Sequence, residues 1–452
     1  MTKRRAFSSV LAWAAFLLIG IARGEMFKDG ETVCFLGDSI THGGSFHSFI
    51  YDYYLTRFPE RTIRFVNAGV AGDTAGGSQR RLAEDVITKK PTSVAVMFGM
   101  NDLGGNYVAN PEEKHKLAQQ RARDGFVKNM DMLVGRIRRE AGEPKLLFIT
   151  PSPFDQTVVK AGNQQPGRND GLGLGAALVR ELALKNGGTV VDFHGPMTAF
   201  NLEQQKKDPA YTIVGQDRVH PGVPGHLMMA WLFLKAQGAP ALVSRVAVDA
   251  RTGSVAESTN AEVTGLMLKE GGVTFTVLEK ALPFPVAPAA QTIAGQLPIE
   301  KELNQEILSV SGLAAGTYEL RIDGAAAGRY TAEELARGVN LAFNRATPQF
   351  KQAQAVAKLN ETRRVTETTL RNYATVRWYL KGRQVNPDDL EAVREYVKTR
   401  KQSTGYYEEK VPAYLEGWNG REAILKKIAA LEQELFAVRK PVPHAYAVQP
   451  FK

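Results

Sequence analysis

Thr32-Val33-Cys34-Phe35-Leu36-Gly37-Asp38-Ser39-Ile40-Thr41 is a short apolar run that stops at glycine and then presents a serine in a tight turn. The run reads as a buried strand, and the turn as a strand-to-helix junction. A serine held there is exposed yet rigid, which suits an activated nucleophile. A nucleophilic Ser39 requires a histidine base, a group that orients it, and donors for the oxyanion.

On either side of this run, residues 28–240 alternate strand-like and helix-like segments. Strands are predicted at 32–36, 63–67, 93–98, 145–150 and 189–192. They are apolar and β-branched without clean alternation, as expected when both faces are buried. Helices are predicted at 46–58, 79–89, 112–140, 172–186 and 225–237. This rhythm predicts an α/β fold, a parallel sheet with helices on both faces, whose ligand site lies outside the carboxyl ends of the strands.

Three further pieces answer the search. Asn67-Ala68-Gly69-Val70-Ala71-Gly72-Asp73-Thr74 follows the second strand, and Gly72 can bring its N–H close to a reacting carbonyl. Gly99-Met100-Asn101-Asp102 follows the third strand, where a side-chain amide can donate to an oxyanion. Asp217-Arg218-Val219-His220 precedes the last helix. Its spacing lets Asp217 accept from His220 Nδ1–H, leaving Nε2 to take the Ser39 proton. Each piece alone is a common turn. Their order and their placement on one rim give them force.

The constellation resembles the SGNH hydrolases, also called GDSL esterases and lipases, over roughly residues 28–238. The resemblance implies a three-layer α/β/α sandwich with a flavodoxin-like parallel sheet and a carboxylic ester hydrolase. It implies Ser39 as nucleophile, Asp217 and His220 as acid–base pair, and Gly72 N–H, Asn101 and the Ser39 N–H as oxyanion donors. No metal or organic cofactor is needed for that chemistry. The turn here reads Gly-Asp-Ser-Ile-Thr, without Leu after Ser39, a variant common in members that deacylate small esters and carbohydrates.

Competing motifs fail: there is no Gly-x-Ser-x-Gly, P-loop or His-Glu-x-x-His. The run Gly171-Leu172-Gly173-Leu174-Gly175 lacks the spacing and preceding strand of a dinucleotide loop. His194 reads as a structural or rim residue and His226 as structural, and a zinc site from His220 and His226 sits awkwardly on a turn holding Pro221 and Pro224. Thr41, His42, Asp73, Met100 and Val219 flank the motifs and read as packing or turn residues. Cys34, the one cysteine, reads as a buried small hydrophobe.

Residues 1–24 have the layout of a secretory signal: Lys3-Arg4-Arg5, an apolar run over 10–21, then Ala22 and Gly24 before Glu25. The apolar run is too short to span a bilayer, so no stable membrane span is expected. Export to the periplasm or exterior follows. The formal charge of +10 falls to +6 with the signal removed, and without a dense Lys/Arg tract no nucleic-acid partner is expected.

Five parts are therefore expected: a signal at 1–24, a catalytic domain at 25–243, a β-rich accessory domain at 244–330, a helical region at 331–440 and an extended tail at 441–452. The β-rich part reads as strands without intervening helices. The last helix carries Ile424, Ile428, Leu431, Leu435 and Val438 as one apolar stripe, to be packed on the long helix bearing Leu370, Tyr373 and Leu380. Covering the site and forming a homodimer are both open uses of the helical region. Trp378 and Trp418 are expected in its core. The favoured function is removal of a small acyl group, acetyl foremost, from a carbohydrate ester. A lipid or thioester hydrolase and a non-catalytic scaffold are the alternatives.

Overall fold

A computed structural model describes residues 24–399 and 405–451. The signal-segment expectation falls almost wholly on residues 1–23, outside the described residues. Among the described residues no helix is long and apolar enough to cross a membrane.

Five parallel strands form the first sheet: β1 (Thr32–Gly37), β2 (Arg64–Gly69), β3 (Ser93–Met97), β4 (Lys145–Ile149) and β5 (Thr189–Val191). Their order is β2-β1-β3-β4-β5, a doubly wound arrangement whose switch point lies between β1 and β3. Successive β1 residues serve opposite faces. Val33 and Phe35 join a core with helices Ser45–Arg57 and Val223–Ala236, while Cys34 and Leu36 join one with helix Glu113–Ala141. That two-sided burial explains why the strands lack polar alternation. Burial raises the Cys34 thiol to about 12, which suits an inert packing residue.

The predicted helix at 79–89 is broken into turns at Gly77–Arg80, Leu82–Asp85 and Ile87–Lys89. Arg81 is the cause. Its buried guanidinium bonds Asp73, Asp85, Ala68 O and Gly37 O, which draws the backbone inward between the turns. A further helix, His194–Gln205, carries Gly195 and Pro196 in its first turn. Proline is tolerated at a helix start, so the pair hides the element without preventing it.

The β-rich part contains β6 (Leu242–Asp249), β7 (Ser254–Thr259), β8 (Ala261–Lys269), β9 (Gly272–Glu279), β10 (Gln305–Ser311), β11 (Thr317–Ile322), β12 (Ala325–Thr331), β13 (Val339–Asn340) and β14 (His444–Pro450). They form two sheets, β13-β10-β6-β7 and β12-β11-β14-β9-β8, with Val246, Val310, Phe275, Leu320 and Val448 in one core. Short helices at Gln291–Gln296 and Ile299–Leu303 interrupt it, where only strands were expected. The tail is extended as expected, but as a strand at the middle of the second sheet, paired antiparallel with β9 and β11. His444, Tyr446 and Val448 alternate inward, but the preceding Pro441 and Pro443 obscure that period in the sequence. The sandwich thus draws on both sides of the helical segment.

The helical segment has the long helix Pro348–Gly382, then Leu390–Thr399, Val411–Gly417 and Arg421–Val438. The stripe on the last helix does face the long one. Ile424 packs against the cluster of Tyr373 and Leu380, and Leu435 against the cluster holding Ala353 and Val356. Trp378 and Trp418 flank the former cluster.

Two carboxyls are buried where this sandwich meets its neighbours. Glu279 and Glu306 share a small cavity with Ser244 and Tyr446, near Arg57 and His444. Burial raises both pKa values, and for Glu306 the Glu279 charge adds to it. A raised folded pKa gives stability that is full below the unfolded carboxyl range and lost as pH rises through the folded value. Glu306→Gln, which keeps the neutral form, should match the parent in Tm at about pH 4 and exceed it by about 3 °C or more at pH 9. Parallel Tm–pH curves for the two proteins would refute this.

Candidate active site

The site is assembled at the carboxyl ends of β1, β2 and β3. β1 ends at Gly37, where a side chain would collide with Thr41 Oγ1 and lie 2.7 Å from Met97 O. Glycine is therefore required for the chain to turn there. Asp38 caps the next helix, Ser39–Gly43, by accepting from Ile40 N–H at 3.0 Å. Ser39 is the first helical residue and half-buried.

Ser39 Oγ lies 2.7 Å from His220 Nε2. His220 Nδ1 lies 2.5 Å from Asp217 Oδ2. The other carboxylate oxygen, Oδ1, accepts from the N–H groups of Val219 and His220 at 3.0 and 2.8 Å. Burial pushes the Asp217 pKa up, but hydrogen bonds from His220 and from these N–H groups outweigh it and hold the carboxyl below its ordinary range. Asp217 thus stays ionised and fixes the proton on Nδ1, leaving Nε2 as acceptor. Both side chains are 49% exposed, so the pair faces solvent and substrate.

A residue the sequence reading passed over, Arg218, holds this loop. It has φ of +65° and is 1% exposed. Its guanidinium donates to the carbonyls of Asp155, Val158, Lys160 and Gly162. The inward pull on Arg218 turns its neighbours, Asp217 and His220, outward.

The residues expected to supply oxyanion donors are Gly72, Asn101 and Ser39 itself. Gly72 has φ of +74° and is exposed. Among the described residues, neither its N–H nor that of Ser39 donates to a protein acceptor. Asn101 Nδ2 donates one hydrogen to Asp73 O at 2.9 Å, which orients the amide and leaves its second hydrogen available. Asp102 ties the two loops together, accepting from Ala75 N–H and Gly99 N–H. Its burial, with the charges of Asp38 and Asp73 nearby, raises it to about 7. Burial likewise raises Asp38 to about 6.

The flanking residues take structural places. Thr41 and Val219 are buried, and Asp73 is paired with Arg81 at 2.7 Å. Met100 Sδ accepts from Arg168 at 3.6 Å. Burial lowers His42 and His226 to about 3, so neither is a base in the neutral range. His194 is half-buried, with its ring 3.2 Å from Asn169 Oδ1. Among the described residues, no group of three or more His, Cys, Asp or Glu is placed to hold a metal ion.

A serine hydroxyl set on a histidine that a carboxylate orients is the arrangement acyl-transfer chemistry uses. The family model for GDSL-like lipases and acylhydrolases matches residues 35–228. A solved structure of BT4096, a gut microbial diltiazem-metabolizing enzyme, is 31% identical, with 96% of this chain and 100% of that chain covered at a TM-score of 0.88. The acetylxylan esterase of Geobacillus stearothermophilus is 29% identical over 228 residues, covering 46% of this chain and 94% of that protein. The uncharacterized lipoprotein YqeF of Bacillus subtilis (strain 168) is 28% identical over 142 residues, 30% of this chain and 55% of that protein. The chain belongs to the GDSL-like lipase/acylhydrolase family, the SGNH hydrolases, and is a carboxylic ester hydrolase.

Proposed function

We propose that this protein is an exported serine esterase that removes a short acyl group, acetyl foremost, from a carbohydrate. The observation that carries the catalytic part is the unbroken relay from Ser39 Oγ to His220 at 2.7 Å and from His220 to Asp217 at 2.5 Å. Ser39 attacks the ester carbonyl while His220 Nε2 takes its proton. The N–H groups of Ser39 and Gly72 and the Asn101 amide hold the oxyanion. His220 then protonates the leaving alcohol, and a water deprotonated by His220 releases the acid from the serine.

Two things support the substrate. One is the resemblance to a protein described as an acetylxylan esterase. The other is a groove of about 550 Å³ beside the Asp217 loop, lined by the polar Gln156, Lys160, Gln164 and Gln165 and by the apolar Val158, Val159, Ala161 and Pro166. Such a mixed lining can meet both the hydroxyls and the C–H faces of a sugar. The basic, apolar and small-residue order of residues 1–24 supports export. The division at residues 243, 330 and 440 is proposed with one amendment, that β14 belongs to the sandwich.

Acetate release from acetylated xylan and other acetylated polysaccharides, set beside a nitrophenyl ester series, tests the substrate. The expected result is release from the polysaccharide and preference for acetyl. Preference for lauroyl over acetyl esters, with no release from any polysaccharide, would favour a lipid substrate.

A further inference from the structure

The long helix Pro348–Gly382 lies along the rim that carries Ser39 and Gly72. Its Arg371 donates to Gly69 O and pairs with Asp85 at 3.0 Å, both groups buried. Thr375 Oγ1 lies 3.3 Å from His42 Nδ1, on the Ser39 helix. Trp378 Nε1 donates to Gly77 O at 3.2 Å. The helix therefore contacts the loops of both backbone oxyanion donors.

Tyr407 reaches the Gly72 loop. Its hydroxyl donates to Ala71 O at 3.2 Å. The same oxygen lies so close to Gly72 Cα that a side chain there would collide with it. The ring is held from behind, stacked on Tyr379 with centroids 5.2 Å apart and tilted against Trp378 at 5.6 Å. Burial raises the phenol's pKa, so the hydroxyl remains a donor.

Gly72 has a backbone conformation available to few other residues, and glycine is free to leave it. A peptide flip at Ala71–Gly72 would turn the N–H away from the oxyanion. The hydrogen bond to Ala71 O opposes that flip, because this carbonyl and the Gly72 N–H belong to one peptide plane. With Ala71 O held by Tyr407, the Gly72 N–H must point the opposite way, in the direction where no protein acceptor meets it.

We propose that Tyr407 is a positioning residue for ester hydrolysis, fixing the Ala71–Gly72 peptide so that the Gly72 N–H faces the oxyanion. The proposal rests on the reading of Ser39, Gly72 and His220 given above. It assigns the helical segment a part in the reaction, since a residue distant in sequence completes the donor set.

The test uses the full-length protein, p-nitrophenyl acetate, and the variants Tyr407→Phe, Tyr407→Ala and Ser39→Ala. Tyr407→Phe keeps the stacked ring and removes only the donor. Its kcat should fall about fivefold, the size of one neutral hydrogen bond, with KM unchanged. Tyr407→Ala should lose about thirtyfold, short of the ~10²-fold loss from deleting an oxyanion donor outright. A raised KM at parental kcat in both variants would make Tyr407 a mere wall and overturn the proposal. So would parental kinetics in Tyr407→Phe, which retains the packing even if the alanine variant fails to fold. If Ser39→Ala is inactive while both Tyr407 variants keep full kcat, only this inference fails. Activity surviving in Ser39→Ala overturns the underlying reading and the inference with it.

Discussion

Ser39→Ala should lower kcat for p-nitrophenyl acetate on the order of 10⁴-fold or more, leaving only what the oxyanion donors and binding supply. The reason is geometric. Among the described residues, Ser39 Oγ is the one hydroxyl placed on His220 Nε2, at 2.7 Å, and alanine leaves the base with nothing to deprotonate except water. Substrate affinity should be retained, because Gly72 and Asn101 are untouched. Stability should be nearly unchanged, since Ser39 is only half-buried and its helix is capped by Asp38. Steady-state kinetics together with a melting curve check both halves. An active alanine variant would remove Ser39 from the chemistry.

Asp217→Asn should come next in size, with kcat reduced on the order of 10⁴-fold at unchanged fold. His220 Nδ1 lies 2.5 Å from Asp217 Oδ2, and an amide NH₂ there would favour the tautomer with its proton on Nε2. That nitrogen could then no longer accept from Ser39. The ionic partner of the transient imidazolium would be lost as well. Because its hydrogen bonds hold the Asp217 carboxyl below the ordinary range, the parent stays ionised throughout neutral pH. The defect should therefore persist across the neutral range rather than recover at one end. A pH–rate profile measures this, and a loss of less than about tenfold would place the orienting role on another group.

The parallel sheet was legible because its strands are short apolar runs ending in turn residues. β1 to β5 agree with the sequence reading to within about two residues, the usual uncertainty at element ends. The placement of Ser39, Gly72 and Asn101 on one rim was legible for the same reason, since each follows a strand of that sheet. Arg218 was not. Its importance lies in four carbonyls at residues 155–162, and no local pattern reports such contacts. Arg81 broke a helix that periodicity favours, since four buried acceptors outweighed local propensity.

The C-terminal strand His444–Pro450 was hidden by prolines on its approach and by its distance from β9 and β11, with which it pairs. Tyr407 carried no signal at all. The pair Tyr406-Tyr407 looks like any aromatic dipeptide until the chain brings it to Gly72. What links it to the site is tertiary contact over more than three hundred residues.

The most direct test of Ser39 as nucleophile is the site of covalent capture by a fluorophosphonate, read by peptide mass spectrometry against residual esterase activity. The expected result is a single adduct on Ser39, with activity falling in proportion to its occupancy. Full labelling at another residue, or undiminished activity in fully labelled protein, would contradict the assignment of Ser39, His220 and Asp217.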